Sequence, residues 1–595
     1  MKKEAITKAD YLFEVSWEVC HQVGGIYTVI KSKAARIYDL YKENYFLIGP
    51  YYEEEAIVKF QGMPLPNEVK RIFDELKKDN IICHFGKWII DGVKINTILI
   101  DFSKYMGKAN IIKKELWEYF KIDSFNSDES FDEFVVWSYV SGRLLEGLRK
   151  TLKGKIVAQF HEYISGAGLL YLKKHKVKIA TVFTTHATYL GRTLASAGLP
   201  LYDILKKIDP KKEAYKYKIQ ARYFMERVTA AKCEVFTTVS DITALEAQYT
   251  VGKKPDLVLP NGLDLERFPT LEERAIKHNQ FKSQMMEFIR VFFFPYHQFN
   301  VENSLIYFIS GRYEFKNKGI DVFIKALGRL NKEMIKDKIS RDVIAFIWIP
   351  SDTKAIDPLL LKNKISYDGI ENFMNNSLGE LKSKIIHYIM EQKLPTTKEL
   401  FTDAFHYQMK KKMIEFKQKG SPLVVTHKLE NKDDIILKEL KKAGLNNSSH
   451  DKVKVIYYPI YLTGADGLID LSYYEAMMGC HFGIFPSYYE PWGYTPLETA
   501  ALGVSSLTTD LSGFGKYIIK KHSKCKGICV LKRYNVSEAA VVNNLTKIMY
   551  DYLKLSAEER IQRKLEAKQI ADLADWKNMV KYYLEAHNMA VTRLR

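Results

Sequence analysis

Residues 486–503 read PSYYEPWGYTPLETAALG, a turn rich in proline and tyrosine followed by a short helical pattern. The run HFGIF just before it has the apolar character of a buried strand. Thr495 stands where it would cap a helix that begins at Pro496, and Glu498 would complete a Thr-x-x-Glu capping box. Gly503 would end that helix. The stretch therefore predicts a strand–loop–helix unit of an α/β fold.

The start of this predicted helix has the features of an anion site. The amides of Gly493, Tyr494 and Thr495 would have no partner inside the helix, and the helix dipole favours negative charge there, such as a diphosphate. Glu490 precedes the turn, where a carboxylate would stabilise positive charge that develops on a sugar ring. Glu498 has two interpretations, as the capping-box partner or as a catalytic group.

Two further loops between a strand and a helix carry cations. SGRYEFKNKGID contains Arg312 and Lys318, which suit a leaving phosphate, or else are ordinary charges on a solvent-facing loop. FTTHATYLGR contains His186 and Arg192, and a single histidine in such a place is more often structural than catalytic. Both loops are candidate parts of one site.

A fourth motif is FEVSWEVCHQVGGIYTV, in which Gly24 and Gly25 precede a predicted helix at Ile26. Paired glycines let the backbone approach a ligand closely. The pattern is not the G-x-G-x-x-G fingerprint, so we do not infer a bound dinucleotide.

Short apolar runs alternate with helical patterns along the chain, as in α/β domains with parallel sheets. The PNGLD turn at 260–264 divides them into two series and is predicted to be an interdomain hinge. Two such halves would form a cleft, which is a favoured place for ligands. The predicted strands are YLFEV (11–15), YFLIG (45–49), TILIDF (97–102), KIVAQF (155–160), IATVFTT (179–185), VFTTVS (235–240), SLIYFIS (304–310), VIAFIWIP (343–350), SPLVVTH (421–427), KVKVIYYP (452–459), HFGIFPS (481–487) and SSLTTD (505–510).

A long, charged helical pattern at 365–420 interrupts the second series. We expect it to mediate oligomerisation or to bind a partner; the alternative is a solvated helical hairpin. The last helical segment, 557–595, is amphipathic and dense in charge.

Composition excludes several classes of protein. Hydrophobic residues make up 47% and charged residues 27%, which argues against disorder. The net charge is +19 (90 Lys and Arg against 71 Asp and Glu), but the lysines are spread out and no nucleic-acid-binding motif occurs, so we expect no nucleic-acid partner. No apolar run reaches the ~18–20 residues of a membrane span, and the start of the chain lacks the apolar core of a signal peptide, so we expect no membrane association and a cytoplasmic location.

The six cysteines are too sparse for a disulfide scaffold. Cys525 and Cys529 lie near His522, but C-x₃-C with one histidine is a weak metal signal. We therefore expect no metal site.

Taken together, the motifs resemble those of the eukaryotic-type glycogen synthases, the UDP-glucose-dependent retaining glucosyltransferases of animals and fungi. Eight motifs occur in the family's order: FEV-x-WEV-x₃-VGGIYTV, AQFHEY-x-SGAGL, FTTHAT-x-LGR, FTTVS-x-ITA-x-EA, LPNGL, GRYEFKNKG, FPSYYEPWGYTP-x-E and SGFG. The resemblance runs from about residue 11 to about residue 590.

The resemblance implies a GT-B fold, in which two Rossmann-like domains face each other across a cleft. We expect residues 1–268, completed by 577–595, to form the acceptor-side domain. Residues 269–576 would form the nucleotide-sugar domain, with a mainly helical insertion at 356–445. The final helix would cross back to the first domain.

The resemblance also implies roles for matching residues. Arg192, Arg312 and Lys318 match cations at the donor phosphates, Glu490 matches the catalytic carboxylate, and His186 matches a histidine at the donor glucose. Transfer would proceed with retention and without a metal ion or other cofactor. The positions expected to bind UDP-glucose, with Tyr473 stacking on uracil, are Gly24, Gly25, Tyr473, Trp492, Gly493, Tyr494 and Thr495.

The family binds the activator glucose-6-phosphate at an arginine-rich helix, which corresponds here to EERIQRKLEAKQIADLADWK (558–577). Glu566 and Gln569 replace two of its arginines, and the family's phosphorylated extension is not in the sequence, which ends at Arg595. We therefore expect phosphorylation control to be absent or weak and activator binding to be altered. The positions that match the activator site are His278, Lys282, His481, Arg560 and Lys564.

Two other functions are considered. A polysaccharide-binding scaffold without catalysis is disfavoured because Glu490, Lys318, Arg312 and Arg192 are all present. A starch-forming enzyme that uses ADP-glucose is disfavoured because HQVGG stands where bacterial and plant synthases have Lys-x-Gly-Gly. The expected partners are an α-glucan such as glycogen, a glycogenin-type primer, and further copies of the chain in a homotetramer.

Overall fold

The computed structural model describes residues 7–90, 92–522 and 525–594. Within these ranges the strands form two large sheets and one two-stranded ribbon. The first sheet contains β1 (Tyr11–Val15), β2 (Tyr45–Pro50), β3 (Phe60–Gly62), β4 (Ile82–Ile90), β5 (Val93–Asp101), β6 (Ile156–His161), β7 (Ala180–Thr185), β8 (Val235–Thr238) and β9 (Leu257–Val258). The remaining strands are β10 (Leu305–Ser310), β11 (Val343–Trp348), β12 (Thr353–Ile356), β13 (His427–Leu429), β14 (Val453–Tyr457), β15 (Phe482–Ile484), β16 (Ser505–Thr509) and β17 (Ile528–Leu531).

The first sheet has the order β3-β4-β5-β2-β1-β6-β7-β8-β9, and its pairs are parallel except where β4 meets its two neighbours. The second sheet has the order β14-β11-β10-β15-β16-β17 and is parallel throughout. In parallel sheets the carboxyl ends of the strands meet at one edge, where ligands bind. The ribbon pairs β12 with β13 in antiparallel register.

Helices cover the faces of both sheets. They are α1 (Gly25–Tyr41), α2 (Glu53–Lys59), α3 (Asn67–Lys78), α4 (Ala109–Phe120), α5 (Glu129–Thr151), α6 (Gly166–Lys174), α7 (Tyr189–Ser196), α8 (Leu201–Ile204), α9 (Pro210–Lys216), α10 (Gln220–Lys232), α11 (Asp241–Thr250), α12 (Leu271–Phe293), α13 (Ile320–Lys336), α14 (Pro358–Met390), α15 (Thr397–Leu400), α16 (Asp403–Phe416), α17 (Ile435–Lys442), α18 (Tyr473–Gly479), α19 (Tyr494–Ala501), α20 (Gly513–His522), α21 (Glu538–Lys554), α22 (Ala557–Leu573) and α23 (Trp576–Arg593). In the described ranges no helix is both long and apolar enough to cross a bilayer.

The expected return of the last helix to the first half of the chain is confirmed, because α23 packs against β6, β7 and β8. Leu263 and Trp576 join the two segments through backbone hydrogen bonds, one of them from the Trp576 amide to the Leu263 carbonyl at 3.2 Å. The Trp576 indole N–H also donates to Ser32 Oγ at 2.8 Å. The chain end thus packs on the first lobe beside the predicted hinge.

Eleven of the twelve predicted strands coincide with strands of the two sheets. The prediction for SPLVVTH is wrong: this segment has only an isolated bridge from Val425 to Tyr457, and β13 begins at His427. Val425 and Leu423 instead pack as partly buried side chains against the core of the second lobe. Most of the helical pattern at 365–420 is helical as predicted, in α14, α15 and α16, and the last helix ends at Phe416.

Candidate active site

The helix that follows the loop at 486–493 is α19, and it begins at Tyr494, two residues earlier than predicted. Gly493 is the N-cap residue, with φ of 110°, and no side chain caps the helix. The capping box of Thr495 and Glu498 is therefore wrong. Only glycine adopts this backbone conformation without strain, so Gly493 itself turns the chain into the helix. Gly503, with φ of 73°, follows the last turn as predicted.

The absence of a capping side chain leaves the start of α19 open. The first amides of a helix have no partner within it, so those of Gly493, Tyr494 and Thr495 are available to an anion. Glu498 turns away and accepts a hydrogen bond from the Tyr474 hydroxyl at 2.8 Å. Burial raises the pKa of the Glu498 carboxyl.

Lys318 and Glu490 form an ion pair beside this helix start, with Nζ 2.5 Å from Oε2. Both side chains are largely shielded from solvent, at 16% and 22% exposed. A small cavity is lined by both of them together with Ser310, Thr495 and Thr508. The ends of three neighbouring strands and the start of α19 therefore converge on one point.

Tyr473 begins α18 and lies at the same edge, where its hydroxyl accepts a hydrogen bond from Ser310 Oγ at 3.0 Å. Tyr473 as a whole residue is partly buried. Trp492 is placed differently from what we predicted. Its ring is only 4% exposed and packs against Phe514 and Tyr517, so it supports the loop from within the core.

Arg312 does not join the Lys318–Glu490 pair. Its guanidinium forms an ion pair with Glu314 at 3.0 Å, and its side chain is 72% exposed. Arg192 is accessible on the facing lobe. Burial alone would lower its pKa, but the carboxylates of Glu162, Glu246 and Glu314 raise it. Arg192 and Arg312 thus share Glu314 as a neighbour from opposite sides of the cleft.

The segment that carries His186 and Arg192 is held by buried carboxylates. Glu162 accepts hydrogen bonds from the amides of His186 and Ala187 at 2.9 and 3.2 Å. Glu246 accepts one from the Thr188 amide at 3.2 Å. Burial raises the pKa of both carboxyls to about 7. These acids fix the start of α7, which aims Arg192 at the cleft.

His186 is buried, at 7% exposed, and contacts a second histidine. Its Nε2 lies 2.9 Å from His161 Nδ1. Burial, with the neighbouring His161 and Lys33, lowers the pKa of His186 well below its ordinary value. The ring is therefore neutral.

Gly24 and Gly25 lie at the start of α1, as predicted. Glu18 occupies the amides there, accepting from Gly24 at 2.7 Å and from Tyr27 at 2.9 Å. Because a carboxylate already satisfies these donors, a bound anion would have to displace Glu18. The start of α1 is thus less available than the start of α19.

A second cluster brings together all five residues matched to the activator site. His278 and Lys282 come from α12, His481 precedes β15, and Arg560 and Lys564 come from α22. Lys564 Nζ lies 3.3 Å from His278 Nε2, and the rings of His278 and His481 are 5.8 Å apart.

The charges of this cluster repel one another in a partly buried place. Burial, with Lys282 and Arg560 nearby, lowers the pKa of Lys564 to about 8. Burial and Lys564 also lower the pKa of His278 to about 3. A buried group of cations gains free energy by binding an anion. In the adjacent helix face Glu566 accepts from the Lys526 amide at 3.1 Å, and Gln569 is exposed.

Several residues of the site were not singled out from the sequence. Ser310 ends β10 and Thr508 lies near the end of β16, with β15 between these two strands in the sheet. Glu162 and Glu246 lie within the AQFHEY-x-SGAGL and FTTVS-x-ITA-x-EA motifs, which indicate the segments but not which of their residues support the site. Among the described residues there is no group of three or more His, Cys, Asp or Glu side chains placed to hold a metal ion.

Comparison with known proteins gives consistent matches over nearly the whole chain. The family model of glycogen synthase matches residues 14–595. The chain is 36% identical over 588 residues to the liver glycogen [starch] synthase of Homo sapiens, covering 98% of this chain and 83% of that protein. It is also 36% identical over 598 residues to the glycogen [starch] synthase of Neurospora crassa, covering 98% of this chain and 84% of the relative.

Among solved structures, the catalytic domain of starch synthase IV from Arabidopsis thaliana, bound to ADP and acarbose, has a TM-score of 0.50 and 13% identity. The match covers 98% of this chain and 100% of that chain. At this identity the likeness concerns the fold alone. The GT-B architecture expected from the sequence is confirmed.

Proposed function

The chain belongs to the glycogen synthase family, and from this premise we propose that it transfers glucose from UDP-glucose to the non-reducing end of an α-1,4-glucan, with retention of configuration. As a member it is a glycosyltransferase of glycogen biosynthesis that joins a nucleotide-sugar donor to an α-glucan acceptor. We propose the identity of the donor nucleotide, the roles of the site residues and the regulation.

One observation carries the proposal: the Lys318–Glu490 ion pair lies beside the uncapped start of α19. In the reaction the bond from glucose C1 to the diphosphate oxygen breaks, and positive charge develops on the sugar ring. Glu490 stabilises that charge. Lys318, Arg192 and the amides of α19 stabilise the negative charge on the departing diphosphate.

Attack comes from an acceptor hydroxyl on the face that the diphosphate leaves. The proton of that hydroxyl passes to a phosphate oxygen of the departing UDP, so no protein base is needed. Tyr473 stacks on uracil, and Arg312 turns from Glu314 toward the phosphates when the lobes close. Cationic side chains and amides do the work that a divalent ion would otherwise do, so we propose that transfer needs no metal.

The test is donor-specificity kinetics with glycogen as acceptor. We expect UDP-glucose to be used with a kcat/KM well above that for ADP-glucose. Use of ADP-glucose alone would assign the chain to starch-type synthesis. Binding of glycogen without turnover of either donor would leave only the scaffold function.

We also propose that the cluster of His278, Lys282, His481, Arg560 and Lys564 binds the phosphate of glucose-6-phosphate. The support is the positive charge that Lys282, Arg560 and Lys564 bring together beside two neutral histidines, which a bound anion would stabilise. Lys564→Ala should abolish activation by glucose-6-phosphate. Lys568→Ala is the matched control, because Lys568 lies one turn along α22 and pairs with Asp572 instead. Equal activation of both variants would refute the site.

The remaining proposals concern the assembly. Residues 1–268 with 577–595 are proposed as the acceptor-side domain and 269–576 as the nucleotide-sugar domain. The helices α14 to α16 expose large apolar side chains, including Ile389 at 62% and Met390 at 78%. We propose that this surface mediates a homotetramer, that a glycogenin-type protein supplies the primer, and that the enzyme works in the cytoplasm.

A further inference from the structure

We propose that Glu14 and His161 are positioning residues that fix His186 as a hydrogen-bond acceptor toward the donor sugar. The inference rests on the proposed function and on the contact of His186 with the donor glucose that the family resemblance implies, because it concerns how the same site recognises UDP-glucose. Glu14 lies in β1, His161 ends β6, and His186 follows β7. Since β6 lies between β1 and β7 in the sheet, the three side chains form a row.

The row is continuous and closed to solvent. His161 Nε2 lies 2.6 Å from Glu14 Oε1, and His161 Nδ1 lies 2.9 Å from His186 Nε2. Glu14 and His161 are each 1% exposed, and His186 is 7% exposed. Each contact is a hydrogen bond, so each needs one donor and one acceptor.

Glu14 determines the direction of the first hydrogen bond. Burial opposes its ionisation, but the ammonium of Lys33 and the ring of His161 hold the pKa of this carboxyl well below its ordinary value. The Tyr45 hydroxyl also donates to Glu14 Oε2, at 2.5 Å. An ionised carboxylate only accepts, so His161 carries its proton on Nε2.

The second hydrogen bond follows from the first. Burial lowers the pKa of His161, so the ring is neutral and its Nδ1 is an unprotonated acceptor. His186 must then donate from Nε2. The pKa of His186 is also lowered, by burial and by the nearby His161, Lys33 and Arg192, although Glu14 opposes this shift. The ring therefore holds a single proton. The remaining nitrogen, His186 Nδ1, can only accept.

A fixed acceptor places a requirement on the ligand. The sugar hydroxyl that meets His186 Nδ1 must donate its proton there. If a fluorine replaces that hydroxyl, it cannot donate, and the two acceptors oppose each other. If a hydrogen replaces it, the nitrogen is left unpaired. An unpaired buried acceptor costs enough to weaken binding by about 5- to 100-fold.

The test measures dissociation constants of UDP-glucose and of its deoxy and deoxyfluoro analogues at the 2-, 3-, 4- and 6-positions, without acceptor. At one position we expect both the deoxy and the fluoro analogue to bind about 5- to 100-fold more weakly than UDP-glucose. Retained affinity of the fluoro analogue at every position where the deoxy analogue loses affinity would overturn the proposal, because His186 would then donate.

A double variant, Glu14→Gln with Lys33→Met, removes the carboxylate without leaving a buried cation unpaired. Because a carboxamide both donates and accepts, the tautomers of His161 and His186 are released. The fluoro analogue at the sensitive position should then bind at least about threefold more tightly than its deoxy counterpart. His161→Gln should behave in the same way, and it provides a second route if the double variant does not fold.

The matched control is Lys113→Met with Asp132→Asn, which removes another shielded ion pair of the same lobe, with Nζ 2.8 Å from Oδ1. This control should keep the wild-type pattern of analogue binding. An unchanged pattern in both Glu14 and His161 variants would overturn the positioning role. Failure of UDP-glucose itself to bind the wild type would instead refute the proposed function.

Discussion

Glu490 and Glu498 are eight residues apart, and their surroundings give them different roles. Glu490 pairs with Lys318 in the small cavity, whereas Glu498 is hydrogen-bonded to Tyr474. The sequence allowed either residue to be the catalytic carboxylate. The environment of each now favours Glu490.

Glu490→Gln should lower kcat at least about 100-fold, the order seen when one electrostatic stabiliser of a transition state is removed. The measurement is the initial rate of glucose transfer to glycogen at saturating donor. Glu498→Gln is the control and should lose much less activity. If Glu498→Gln were the more damaging change, the assignment of the two residues would be reversed.

Lys318→Ala should also depress kcat, because the leaving diphosphate loses a cation and Glu490 loses its partner. The same transfer assay measures it, with Lys316→Ala as control on an exposed neighbour in the same loop. If Lys318→Ala had the same kinetics as the wild type, the loop would be an ordinary solvent-facing loop with no part in catalysis.

At the scale of elements, the start of α19 depends on Gly493. Its φ of 110° is unfavourable for other residues, and an added Cβ would lie 3.4 Å from Glu490 Cγ. Gly493→Ala should therefore cost roughly 1–3 kcal/mol of stability and lower kcat as well. Thermal unfolding and the transfer assay measure the two effects.

Gly467→Ala is the matched control for that change. Gly467 also has a positive φ, of 75°, but an added Cβ would meet nothing within 4 Å. It should lose stability and keep its kcat. Loss of kcat in both variants would mean that backbone strain alone, and not the position of Glu490, limits turnover.

The buried carboxyl of Glu162, which holds the start of α7, should make the stability of the protein depend on pH. Glu162 has a pKa of about 7 in the folded chain because of burial, against about 4.5 when unfolded. Between these values the folded state binds more protons, so this group's contribution to stability is largest below pH 4.5 and falls as pH rises toward 7.

Denaturant unfolding at pH 5, 6 and 7 measures that contribution. It is the free energy of unfolding of the wild type minus that of the Glu162→Gln variant. The wild type should lose more stability than the variant as pH rises across this range. Glu146→Gln serves as control, because hydrogen bonds from Tyr171 and Lys150 outweigh burial and lower the pKa of Glu146, so this carboxyl is ionised in both the folded and the unfolded state from pH 5 to 7 and adds almost no slope. A Glu162→Gln variant with the wild-type slope would contradict the raised pKa.

Local sequence predicted the elements better than their ends and their contacts. Strands such as β11, with the sequence VIAFIW, were found because a strand buried on both faces is apolar throughout. The helix after residue 493 was expected, but Thr-x-x-Glu predicted a cap that Gly493 replaces with backbone geometry alone. Trp492 was assigned to the ligand and instead packs in the core, because a motif shows which residues are near a site and not which way each side chain turns. The row from Glu14 to His186 joins three strands that are far apart in sequence, so no local pattern reveals it.

At the scale of the whole molecule, the insertion formed by α14 to α16 is the part that the proposed chemistry does not use. Ile389→Asp with Met390→Asp should lower the particle mass measured by light scattering, because charges would be placed in the proposed interface. Ile276→Asp is the control, since Ile276 is 73% exposed on α12 outside the insertion. An unchanged mass would make the insertion a solvated hairpin.

The proposed transfer requires two lobes that hold a sugar diphosphate with cations and amides alone. The most direct measurement is the rate of glucose transfer from UDP-glucose to glycogen after exhaustive chelation, compared with the rate after magnesium is restored. We expect the two rates to be equal. Transfer that appears only when magnesium is present would contradict the account.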